Sequence, residues 1–146
     1  MDERLRIVVA DPDPNYQRRI ISRLRSDFIC IPTDTLVETW QVICQEVRRA
    51  YQNQKWPPLL TLELSQPDGD GVEFIRYLQA DPYLRYVLIA CVTQQSSLRD
   101  KVKAFRAGAD DYIVKPHLPE HFASMMLFLH QQGYLARRAR TAGGVL

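Results

Sequence analysis

Short apolar runs alternate with helix-periodic stretches five times along this chain, and few folds accept that rhythm. The runs are residues 5–10, 28–31, 59–64, 87–92 and 112–114. They are continuous and rich in leucine or β-branched residues, as strands buried on both faces are. Each is followed by a stretch with apolar residues on one helical face. Tyr16, Ile20, Ile21 and Leu24 mark the first, over 15–26, and Trp40, Ile43, Cys44, Val47 and Tyr51 the second. Neighbouring parallel strands need a crossover, and an amphipathic helix supplies one. With right-handed crossovers, the expected fold is α/β: a doubly wound, five-stranded parallel sheet with helices on both faces.

Local punctuation supports these boundaries. Asp11-Pro12-Asp13-Pro14 turns the chain into the first helix. Thr35, with Glu38 three residues on, reads as the capping box of the second. Asp81-Pro82 ends a third helix over 72–79, Gly108 closes a fourth over 98–107, and Pro119 opens the last.

Composition narrows the function classes. The 146 residues suit one domain, and a net charge of +2 does not argue for a nucleic-acid binder. No run approaches the roughly 18 apolar residues of a membrane span. The first residues lead straight into a strand, so a cytoplasmic protein with no membrane partner is expected. Cys30, Cys44 and Cys91 lack metal-ligand spacing and read as reduced thiols. His117, His121 and His130 form no ligand set. The domain is placed at 1–136, and 137–146, with Arg137, Arg138 and Arg140, is read as a basic, flexible tail.

Chemistry gathers at the strand ends. Residues 59–64 are Leu at four of six positions, yet Glu63 stands among them near the carboxyl end. A carboxylate there is costly unless it is paired or solvated. Asp11 follows the first strand, Thr93 the fourth and Lys115 the fifth. In an open parallel sheet these ends converge on one crevice.

The segments Ile7-Val8-Val9-Ala10-Asp11, Leu62-Glu63-Leu64-Ser65-Gln66-Pro67, Asp70-Gly71, Val92-Thr93 and Gly108-Ala109-Asp110-Asp111-Tyr112-Ile113-Val114-Lys115-Pro116 resemble the receiver domain of two-component response regulators. The likeness runs from about residue 5 to 130. Thr93 and Lys115 follow Glu63 by 30 and 52 residues, intervals like the family's. The resemblance implies a flavodoxin-like (βα)5 fold and a signalling module rather than an enzyme. In the family an aspartate after the third strand takes a phosphoryl group from a histidine kinase. An acid pair after the first strand binds Mg²⁺. Carried over, Thr93 and Lys115 are the phosphate-site residues and Tyr112 the switch aromatic. Asp11 is one metal-binding acid, and Ala10 stands for its missing partner. Asp13 is a stand-in for that acid whose direction the sequence does not give. Glu63 occupies the phosphoacceptor position. The second helix and its flanks are several residues longer than the family's.

Glutamate for aspartate, together with a weakened Mg²⁺ site, leads to the expectation of a pseudo-receiver that needs no cofactor. It would act by protein contact, with Glu63 imitating the phosphorylated state. Its partner would be a histidine kinase, a downstream regulator or a second copy through the face of the fourth helix, fifth strand and last helix. Alternatives are a phosphorylatable response regulator with an unusual site and the receiver part of a DNA-binding transcriptional regulator.

Overall fold

The computed structural model describes residues 2–142, with side chains to Gly133. Five parallel strands form the sheet: β1 (Leu5–Ala10), β2 (Phe28–Thr33), β3 (Leu59–Leu62), β4 (Leu88–Thr93) and β5 (Asp111–Val114). Five helices connect or follow them: α1 (Pro14–Leu24), α2 (Leu36–Gln52), α3 (Gly71–Ala80), α4 (Leu98–Ala107) and α5 (Pro119–Ala142). The strand order is β2-β1-β3-β4-β5, so the chain reverses direction across the sheet between β1 and β3. The doubly wound architecture read from the sequence is the one observed.

The period-2 alternation of strand side chains sorts the core into two layers. Val8, Ala10, Leu60, Leu62, Ile89 and Cys91 face α2, α3 and α4. Ile7, Val9, Leu59, Leu88, Ala90 and Val92 face α1 and α5, where Tyr16, Ile20, Leu24, Phe122 and Met126 meet them. Every residue of β4 is buried, as its unbroken apolar run requires.

Boundaries differ from the sequence reading in four places. β2 extends through Pro32 to Thr33. A proline lacks the N–H of a ladder bond, but β2 is an edge strand and one side of it is unpaired. β3 ends at Leu62, so Glu63 lies just beyond it, held by one more ladder-like bond from its N–H to the Ala10 carbonyl (2.9 Å). The polar loop that follows is an antiparallel hairpin pairing Ser65–Gln66 with Gly69–Asp70. The backbone of α5 continues through residues 137–142 of the expected tail, while 143–146 lie outside the described residues. Among the described residues no helix is long and apolar enough to cross a membrane.

Candidate functional site at the carboxyl ends of the strands

The β1/β3 reversal opens a crevice beyond the carboxyl ends of those strands, where ligands bind in open α/β sheets. Asp11 follows β1 and Glu63 follows β3, and both are almost wholly buried. The Lys115 ammonium, arriving one residue after β5, donates to Asp11 Oδ2 at 2.6 Å and Glu63 Oε1 at 3.2 Å. It also lies 4.1 Å from the centre of the Tyr16 ring, a cation–π contact from α1. One cation therefore bridges two acids that the sheet forces together.

The other carboxylate oxygens are also engaged. Asp11 Oδ1 accepts from the Asp13 N–H at 2.9 Å, and Glu63 Oε2 accepts from the Ser65 N–H at 3.3 Å. Even so, burial raises the Asp11 carboxyl above the ordinary aspartate range, against the opposing pull of Lys115 and the Asp13 N–H. The Asp13 carboxylate accepts from Asn15 N and caps α1, so one of its oxygens is engaged at the helix start. Ala10, read as replacing such an acid, is packed in the core beneath α2 and α3.

Thr93 and Tyr112 share the neighbouring wall. Thr93 is 1% exposed, and its hydroxyl accepts from Gln95 N at 3.3 Å. Its carbonyl accepts from Lys115 N at 2.8 Å, which ties the ends of β4 and β5 together. The Tyr112 hydroxyl donates to the Gln95 carbonyl at 2.7 Å, so the ring is tied to the loop after β4. Burial, helped by the negative charges of nearby acids, pushes this phenol up to about 12. The structure thus gathers Asp11, Glu63 and Lys115 into direct contact and places Thr93 and Tyr112 beside them.

Three further residues adjoin the crevice in roles that the sequence reading did not assign. The buried Gln17 amide donates to the Asp11 and Thr33 carbonyls, both at 2.7 Å, fastening the ends of β1 and β2. Gln66 Nε2 donates to the Glu63 carbonyl at 2.8 Å. His117 shares a 2.7 Å hydrogen bond with the Tyr16 hydroxyl and stacks on Phe122. The sequence held one faint signal: Gln17 and His117 are polar residues beside elements otherwise reserved for the core.

Magnesium prefers a near-octahedral shell of oxygens. Here all four carboxylate oxygens accept hydrogen bonds, and an ammonium already lies between the two acids. No cluster of three or more His, Cys, Asp or Glu side chains suited to a metal occurs among the described residues. The residues present do not fit a bound Mg²⁺ ion.

Comparison with known proteins places this geometry. The family model "Response regulator receiver domain" matches residues 7–126. The phosphate regulon transcriptional regulatory protein PhoB of Escherichia coli K12 is 33% identical over 72 residues, which is 49% of this chain and 31% of PhoB. The transcriptional regulatory protein PhoP of the same strain is 34% identical over 87 residues, or 59% of this chain and 38% of PhoP. The chain thus spans about a third of the length of these curated relatives. Among solved structures, the signal receiver domain of a putative LuxO repressor protein from Vibrio parahaemolyticus superposes with a TM-score of 0.74. Its identity is 14%, over 93% of this chain and 97% of that one. A two-component response regulator from Clostridium difficile gives a TM-score of 0.71 at 18% identity, over 88% and 98%. The BeF3-activated DrrB receiver domain gives 0.69 at 21%, over 88% and 99%. The chain belongs to the response regulator receiver domain family of two-component systems.

Proposed function

We propose that this receiver is atypical, a pseudo-receiver that signals through protein contact without being phosphorylated on a carboxylate. The observation that carries the reading is the Lys115 bridge, which joins Glu63 to Asp11 and leaves neither acid an oxygen without a donor. Phosphoryl transfer rests on positioning and charge stabilisation, and a displacement of about 1 Å can cost on the order of 100-fold. Glu63 reaches further than an aspartate by one methylene, about that distance. The acid pair is reduced to Asp11, because Ala10 is in the core and Pro12 carries no oxygen on its side chain. Glu63 on Lys115 supplies one negative charge where a phosphate would bring ≈ −1.5 to −2, a partial imitation of the phosphorylated state.

Receiver domains work with histidine kinases and downstream effectors. In this chain the contact surface is the face of α4, β5 and α5. Leu98, Val102 and Phe105 are exposed along one stripe of α4, with Arg99, Lys103 and Arg106 around them. A second copy of the chain or a cytoplasmic signalling partner docks there. A second reading, the receiver part of a longer DNA-binding regulator, is favoured by the names of the relatives, which are transcriptional regulatory proteins.

Incubation with acetyl phosphate and Mg²⁺, followed by intact-mass measurement, tests the proposal. The mass is expected to stay unchanged. An acid-labile phosphoryl adduct that is lost in Glu63→Gln would overturn it.

A further inference from the structure

At the edge of the sheet opposite Glu63, the end of α2, the approach to β3 and the approach to β4 line an open-sided cavity of ≈ 900 Å³. That is within the range of small-molecule sites, ~300–1,000 Å³. Four aromatic rings line it: Tyr51, Trp56, Tyr83 and Tyr86. Tyr51 and Tyr83 are 81% and 69% exposed, more than a core needs and more than solubility favours. Trp56 is anchored edge-on to His130, 6.1 Å between ring centres, so its indole is held in place at the rim.

The charges around the cavity favour an anion. Arg48 and Lys55 lie on its lining, and the Arg85 guanidinium sits 5.3 Å above the Tyr86 ring. The one acid in the lining, Asp81, accepts from the Tyr83 and Leu84 N–H groups at 2.8 and 3.0 Å and caps the turn between α3 and β4. Lys55 is paired with Glu3 at an exposed 3.3 Å, which leaves Arg48 as the principal cation facing the cavity.

We propose that this cavity binds a small planar aromatic anion, with its ring against the tyrosines and Trp56 and its charge at Arg48. Flat rings stack on flat rings, and an anion at the rim gains the guanidinium without being buried itself.

The probe for the test is 8-anilinonaphthalene-1-sulfonate, with neutral N-phenyl-1-naphthylamine as its uncharged counterpart. Trp40→Phe leaves Trp56 as the single indole and donor for energy transfer. One sulfonate per chain is expected, with saturable transfer from Trp56. Arg48→Ala should weaken the sulfonate about threefold to fivefold, the effect of one exposed ion pair, and leave the neutral ring unchanged. Tyr83→Ala should weaken both. Arg48 and Tyr83 are exposed, and thermal melts of each variant confirm folding. Absence of saturable transfer from Trp56 overturns the site. Equal sulfonate affinity in Arg48→Ala overturns its preference for an anion.

Discussion

Asp11 shows how a single residue can cost a fold stability to equip a site. Its folded carboxyl titrates above the ordinary value of 3.8, because burial outweighs the donors around it. A folded value above the unfolded one means that folding takes up a proton between the two. Stability therefore falls as pH rises through that window, and the cost is complete above the folded value. Asp11→Asn removes the buried charge while Lys115 keeps Glu63. It is expected to match or exceed the wild type in urea unfolding at pH 7, with the difference closing as pH falls toward 3.8 and below. A lower midpoint for the variant at pH 7 would contradict this account. Lys115→Met does the reverse. It leaves two buried carboxylates facing each other, and a loss of about 3 kcal/mol is expected at neutral pH. At this scale the sequence exposed Glu63 through its misplacement in a leucine run, and Asp11 and Lys115 through their place at strand ends. Tyr16 and His117 stayed hidden, because an aromatic on an apolar helix face and a lone histidine look like ordinary packing until the fold brings them together.

Elements were legible where a local rule fixed them. Thr35 caps α2 as expected, accepting from Glu38 N at 3.1 Å, though Glu38 reaches back to Asp34 N (2.8 Å) rather than to Thr35. Asp68, from the hairpin, adds a cap that local sequence could not reveal, accepting from Leu36 N and Val37 N. Gly108 closes α4 at φ +126°, a region that disfavours any side chain, and a Cβ there would lie 2.4 Å from Gln79 Cγ on α3. Gly108→Ala should therefore lower stability by more than about 1 kcal/mol, read as a reduced urea midpoint at unchanged m-value. The hairpin at Ser65–Asp70 was missed because two-residue strands carry no periodicity, only a turn composition shared with any loop. The extension of β2 was missed because Pro32 reads as a stop, and only the edge position makes it tolerable.

For the whole molecule, five alternations fixed the sheet, and the sheet brought chemistry from four strand ends to one crevice. Sequence periodicity carries that much because parallel α/β topology has few solutions. The cavity at the opposite edge was not legible, since it depends on how α2 ends against the approach to β4. The exposed α4 stripe makes a further whole-molecule expectation. Sedimentation should show self-association that Phe105→Glu abolishes, with the fold retained; a wild type that stays monomeric at high concentration would exclude the second-copy reading.

The central claim is that Lys115, Glu63 and Asp11 form a closed set with no opening for Mg²⁺ and a phosphoryl group. Fluoroberyllate, a tetrahedral phosphate analogue that bonds to a free carboxylate, reads this directly when added with Mg²⁺ while backbone amide resonances are followed. The amides of Thr93, Tyr112 and Lys115 are predicted not to move in the wild type. Saturable shifts of those three amides at one equivalent would contradict the closed site.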